Sequence, residues 1–244
     1  MTSMQSTPTI ILIPGYWLGA WAWEEVVEHL RAAGRRAIPL TLPGLDPADS
    51  AAASRTLDDQ LAAIERAVAD AGPEPVLVAH SGANGPVTLM LDRHPELIGR
   101  VIWVDSGPAA PGAAFAPDFP ADAESLRLPE FEVLSEQASL TGLSAEMLER
   151  LRARAVAEPG GVVRQPVQLV NDARFGVPTT FVCSSLSSAQ LHELADAGHP
   201  MFAEVNNYTD VDSVDLETGH WPMWSRPREL AGIIDAAASA HSPA

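Results

Sequence analysis

The stretch that decides the fold reads Pro75-Val76-Leu77-Val78-Ala79-His80-Ser81-Gly82-Ala83-Asn84-Gly85-Pro86-Val87. Pro75 to Ala79 is a short apolar run of strand type, and Gly82 to Arg93 reads as a helix. Ser81 therefore stands at a strand–turn–helix junction, with small residues, Ala79 and Ala83, two positions to either side. The reason for small neighbours is steric. A serine at such a bend occupies a strained backbone conformation, and bulky flanking side chains would clash. Its hydroxyl projects above the strand end, where the Gly82 amide and the dipole of the following helix favour a developing oxyanion. A serine before a helix also serves as a plain N-cap. The strand in front of it favours the nucleophile elbow.

Outward from this junction, apolar runs alternate with helical patterns, the sign of a parallel sheet wrapped by helices. Ile10 to Ile13 is a strand ended by Pro14-Gly15, and Trp23, Val27 and Leu30 recur at helical spacing until Gly34. Ala37 to Leu40 is a second strand, and a helix started by Thr56 carries Leu57, Leu61, Ile64 and Val68 on one face. Val101 to Val104, Thr179 to Cys183 and Val211 to Leu216 complete six strands, with a helix at Ser188 to Ala197 and a closing helix at Arg226 to Ala238. Residues 107 to 176 break the alternation. They are rich in Pro, Ala and acidic residues and predict a helical cap inserted between strands. Its helices are expected at Ser125 to Ser139 and at Ser144 to Glu158, the second stopped by Gly160-Gly161. A loosely packed surface extension is the competing reading.

Two loops complete a catalytic pattern. Pro14-Gly15-Tyr16-Trp17 follows the first strand, where Gly15 allows a close turn and the Tyr16 amide is the expected second oxyanion donor, with the Trp17 amide next in line. Gly219-His220-Trp221-Pro222 follows the last strand. Of seven histidines, His29, His80, His94, His192, His199, His220 and His241, only His220 lies in a loop at the carboxyl end of a late strand, where open α/β sheets gather their catalytic groups. It is the candidate general base for Ser81. His80, next to the serine, must point away from it. Trp17, Trp221 and Met223 flank these loops as candidate substrate-binding residues; Phe115, Phe119 and Phe131 either roof the pocket or pack the cap; Trp21 and Trp23 read as core.

With these pieces in order, the chain resembles the α/β-hydrolase superfamily over nearly its whole length. It is particularly similar to compact plant-type esterases, hydroxynitrile lyases and bacterial cofactor-free hydrolases. The resemblance rests on the elbow, the Gly19-Ala20-Trp21-Ala22-Trp23 segment, His94-Pro95-Glu96-Leu97 and the Gly219-His220 loop, with Pro14 standing where relatives often place histidine. It implies a single α/β-hydrolase domain over 1–244, with a small helical cap at 107–176. It also implies a Ser-His-acid triad with no cofactor and no metal. The usual place for the acid, Cys183 to Gln190, holds no carboxylate. A minority of relatives take it from the end of the preceding strand, and Asp105 stands there in Val104-Asp105-Ser106-Gly107. Asp105 is therefore the expected acid. An aspartate at this point also serves simply to bond turn amides, and Asp196 and Glu193 are the reserves.

Composition narrows the chemistry. The 244 residues carry 15 basic and 32 acidic side chains, a formal net charge of −17. Such a field repels nucleic acid and anionic lipid headgroups, so neither a nucleic-acid nor a membrane partner is expected. All the basic residues are Arg, which removes Schiff-base and P-loop lysine chemistry. The lone Cys183 allows no internal disulfide. Met1 to Thr9 lacks the basic segment of a secretory leader, so a soluble cytoplasmic chain is expected. The expected partner is a small, mostly apolar ester, lactone or thioester, with a homodimer possible. Lyase or cyclase chemistry on the same triad, or a receptor role, are the alternatives.

Overall fold

The structure, a computed structural model, describes residues 7–240; His241 and the first six residues, read above for a leader, lie outside that range. Its elements in chain order are β1 (Ile10–Ile13), α1 (Glu24–Ala32), β2 (Ala37–Pro39), α2 (Leu57–Ala71), β3 (Val76–His80), α3 (Asn84–Arg93) and β4 (Arg100–Val104). After these come β5 (Ser125–Leu126), α4 (Phe131–Gln137), α5 (Ala145–Arg154), β6 (Glu158–Pro159) and α6 (Gly160–Arg164). The chain then returns through β7 (Thr179–Cys183), α7 (Ser188–Asp196), β8 (Val211–Asp215), α8 (Pro222–Ser225) and α9 (Pro227–Ala240). Each of the six expected strands is present, its ends displaced by no more than one residue. They form one parallel sheet of order β2-β1-β3-β4-β7-β8.

Strand alternation sends neighbouring side chains to opposite faces, and both faces are covered. Ile11, Ile13, Leu77 and Trp103 pack with Leu61 and Ile64 of α2, Val87 of α3 and Leu191 of α7. Ile10, Leu12, Val78 and Ile102 pack with Val26 and Leu30 of α1 and Leu230 and Ile234 of α9. Trp23 is fully buried in this second cluster, and Trp21 lies partly buried against it. The α2 helix begins where Thr56 predicts, with a reciprocal capping box between Thr56 and Asp59.

The inserted segment departs from expectation in detail. The helix expected over Ser125 to Ser139 is only α4, because Pro129 cannot sit inside a helix and pushes Leu128 toward extended backbone. Ser125–Leu126 instead pairs antiparallel with Glu158–Pro159. The second helix, capped by Ser144, ends at Arg154, where Ala155 turns extended. Gly160-Gly161 does not stop it. Those glycines open α6, with the Gly160 amide donating to Glu124 at 2.7 Å.

The core assignment makes a simple prediction. Leu61 is fully buried on α2, whereas Leu97 is 44% exposed. Leu61→Ala is expected to cost roughly 2–5 kcal/mol in urea unfolding, and Leu97→Ala no more than about 0.5 kcal/mol.

Candidate active site

The carboxyl ends of β3, β4, β7 and β8 deliver the candidate side chains to one place. Ser81 follows β3 with φ 50°, in the left-handed region that a serine avoids unless held there, as the elbow predicts. Its carbonyl accepts from Ser106 Oγ at 2.9 Å. The β1 loop approaches closely: a Cβ on Gly15 would lie 2.8 Å from that of Ser81, so only glycine lets this loop abut the elbow. The Tyr16 amide, one residue on, donates to no other described residue. The Tyr16 ring lies over Gly82, whose amide opens the helical turn after the serine.

His220 Nε2 is 2.8 Å from Ser81 Oγ, and His220 Nδ1 is 2.5 Å from Asp105 Oδ2. With Asp105 ionised, Nδ1–H donates to the carboxylate and Nε2 accepts from the serine hydroxyl. Asp105 also accepts from the amides of Ser184 and Ser185, at 3.2 and 2.8 Å, and from Ser185 Oγ at 2.7 Å. The two readings of this residue are thus both met: it faces the imidazole and it bonds a turn. Burial works against its charge, but the bonds from His220 and Ser185 outweigh this and hold its carboxyl well below the usual range. Its φ is 44°, again left-handed. The reserve acids are elsewhere: Glu193 and Asp196 are exposed on α7, and Asp196 accepts from Asn206.

A cavity of about 420 Å³ opens above Ser81. Trp17, Trp221, Leu134, Leu186, Leu191 and Phe202 contribute to its apolar wall. Trp17 and Trp221 therefore stand where the sequence placed them, with Trp221 edge-on to the His220 ring at 4.9 Å. Met223 does not line the cavity. Pro222 starts the short α8 helix, which turns Met223 fully into the core. Of the three candidate roof residues, Phe115 reaches the cavity, while Phe119 and Phe131 do not line it and instead receive the guanidinium groups of Arg164 and Arg152. Cys183 is buried in β7, yet it also touches the cavity, and burial pushes its thiol up to about 12. Among the described residues no cluster of His, Cys, Asp and Glu is arranged to hold a metal ion.

Two features of the site had no distinct sequence signal. His80, beside Ser81, is buried, and its Nε2–H donates to the His220 carbonyl at 2.7 Å. It ties the base's own backbone to the elbow. Burial, then the neighbouring His220, pushes its pKa down to about 3, so it stays neutral. The inserted segment supplies the other tie: Gly219 and His220 amides donate to Thr141 and Ser139 carbonyls at 3.0 and 2.8 Å. A Cβ on Gly219 would fall 2.5 Å from both of those oxygens, which is why glycine precedes the histidine.

An open parallel sheet that brings serine, histidine and aspartate together at its strand ends defines the class of α/β hydrolases. Comparison with known proteins agrees: the alpha/beta hydrolase family model matches residues 10–233, and the chain belongs to that family. The esterase PIR7B of rice, Oryza sativa subsp. japonica, is 35% identical over 106 residues, which span 42% of this chain and 40% of that protein. Among solved structures, an extracellular alpha/beta-hydrolase from a Paenibacillus species superposes with a TM-score of 0.75 at 18% identity, covering 94% of this chain and 98% of its own. The Arabidopsis methylesterase MES16 gives 0.73 at 19%, covering 96% and 99%. Tomato methylketone synthase I bound to 2-tridecanone gives 0.75 at 16%, with the same two coverages of 96% and 99%. No helix among the described residues is long and apolar enough to cross a membrane.

The buried neutral imidazole gives a pH prediction. His80 takes up a proton near 6.5 in the unfolded chain but only near 3 when folded, so between these values the unfolded state binds more protons. Its stabilisation is complete above the unfolded value and is lost as pH falls toward the folded one. Lowering pH from about 7 to about 4.5 should therefore reduce the Tm of wild type more than that of His80→Gln, which keeps a donor but cannot titrate. Circular dichroism melts read the difference, and equal drops would refute it.

Proposed function

We propose that this chain is a serine hydrolase acting on a neutral, mostly apolar small molecule through an acyl-enzyme, with residues 107–176 serving as the cap of one α/β-hydrolase unit. The observation that carries the reading is the unbroken relay from Ser81 Oγ through His220 to Asp105, at 2.8 and 2.5 Å, on the floor of an apolar cavity. Ser81 attacks the substrate carbonyl carbon while its proton passes to His220 Nε2. Asp105 holds the imidazole in the required tautomer and stabilises the imidazolium. The amides of Tyr16 and Gly82 receive the oxyanion, each contributing about 3 kcal/mol to the transition state. The imidazolium then gives its proton to the leaving alcohol or thiol. Water, activated by the same nitrogen, releases the acid and restores Ser81.

The wall supports a substrate class. Its side chains are largely aromatic and aliphatic, and no arginine is among the described residues that line it. A carboxylate entering there would lose its hydration without gaining a counter-charge, which disfavours anionic substrates. Neutral esters, lactones and thioesters fit that environment. The names of the rice esterase and the Arabidopsis methylesterase support an ester among these.

A fluorophosphonate probe should label wild type and fail to label Ser81→Ala; labelling that persists in the variant would remove the nucleophile. On a turned-over neutral ester, Asp105→Asn should lower kcat by roughly three to four orders of magnitude, while Asp196→Asn leaves it within about twofold. In a panel of paired substrates, kcat/KM for a neutral ester should exceed that for its carboxylate-bearing analogue by at least about tenfold.

A further inference from the structure

The carboxylate of Asp105 is held by more than the imidazole it faces. Asp105 follows β4, and Ser185 lies two residues beyond β7. These strands pair up to Val104 and Val182, and the Asp105 amide donates to the Val182 carbonyl at 2.9 Å. The ladder therefore leaves the acid and the Ser184-Ser185 turn side by side. The same turn reaches the base loop: the Ser184 carbonyl accepts from the Thr218 amide at 3.3 Å, two residues before His220. The turn thus stands between acid and base.

The bonds to the carboxylate differ in kind at its two oxygens. Oδ1 takes two amides, from Ser184 at 3.2 Å and Ser185 at 2.8 Å. Oδ2 takes the His220 imidazole at 2.5 Å and the Ser185 hydroxyl at 2.7 Å. The terminal torsion of an aspartate is broad, so the side chain's own rotamer preference does not fix the carboxylate plane. Two amides on one oxygen fix a point, about which the other oxygen is free to swing. Apart from the imidazole itself, the Ser185 hydroxyl is the one donor among the described residues to the oxygen that serves His220.

We infer that Ser185 is a positioning residue: its hydroxyl holds Oδ2 of Asp105 in line with His220 and so keeps the imidazole aimed at Ser81. The inference rests on Asp105 serving as the acid of the triad proposed above. Packing does not account for the hydroxyl. Ser185 is exposed where it lines the cavity, whereas the Asp105 side chain is only 6% exposed. The turn itself is already met by the Ser185 amide. What Oγ adds is a charge-assisted bond to a buried carboxylate, on the oxygen whose direction matters for the relay.

The test compares wild type, Ser185→Ala and Ser185→Thr on one neutral ester, with Tm read in parallel, and repeats Ser185→Ala in an Asp105→Asn background. Ser185→Ala removes the hydroxyl and keeps the amide. It should lower kcat by roughly tenfold with KM within about twofold, while Tm moves by no more than about 2 °C. Ser185→Thr keeps the hydroxyl and should stay within about threefold of wild type in kcat. In the Asp105→Asn background, Ser185→Ala should add less than about twofold, because its effect runs through the carboxylate. An unchanged kcat in Ser185→Ala overturns the inference. So does an equal loss in Ser185→Thr, a kcat that falls together with Tm, a change in KM alone, or the same tenfold loss repeated in the Asp105→Asn background. A wild type that fails to label at Ser81, or an Asp105→Asn enzyme with full activity, defeats the triad and this inference with it. A labelled wild type and a crippled Asp105→Asn beside a fully active Ser185→Ala defeat the inference alone.

Discussion

A serine at φ 50° between a strand and a helix is a costly arrangement, and the rest of the site is built around keeping it there. Four non-glycine residues among those described have positive φ, and Ser81, Asp105 and Trp17 are three of them. Each such residue costs on the order of 1–3 kcal/mol. The offset comes from the sheet beneath. Strands β3 and β4 are buried along their whole length and pair in register from Val76 and Arg100 to His80 and Val104, directly below the two strained carboxyl ends. A parallel sheet covered on both faces is the kind of platform that resists relaxation of such turns. The strain thus belongs to the strand ends, and the core belongs to the strands.

The inserted segment does more than roof the cavity. It bonds the base loop through Ser139 and Thr141, and it bonds the oxyanion loop through Leu126 and Val156. Two of the three loops that converge on Ser81 are therefore held partly by residues that arrive from a different part of the chain. Reaction geometry must be kept within a fraction of an ångström to be useful. Movement of the segment would alter both loops at once. His80 supplies a third tie that does not depend on the segment, running from the elbow itself to the His220 carbonyl.

What was legible in the sequence follows from this division. Continuous apolar runs and helix caps are local, so the six strands and the Thr56 start of α2 could be read directly. Ser81, His220 and Asp105 could be placed because each sits at a strand end, and parallel order brings strand ends together. Met223 was misplaced because a short helix of four residues sets its direction, and loop proximity says nothing about that. The limits of α4 were overdrawn because Pro129 outweighs the propensity of the residues around it, and α5 stops at Arg154, where Ala155 turns extended, short of the expected Glu158. The tie from His80 to the His220 carbonyl was invisible, because it joins positions 140 apart and no periodicity encodes such a distance.

The chain carries a net charge of −17, yet the cavity wall is mostly apolar and the aspartate on its floor is committed to His220 and Ser185. A neutral ester feels little of the outer field and gains from leaving water for that wall. On the proposed reading, hydrolysis would convert it into a carboxylate, which would meet a low-dielectric pocket and a surrounding negative potential. The field that is indifferent to a neutral substrate would then work against an anionic product and favour its release over its retention. An excess of acidic residues on such a protein is consistent with a reaction that begins with a neutral molecule and ends with an anion.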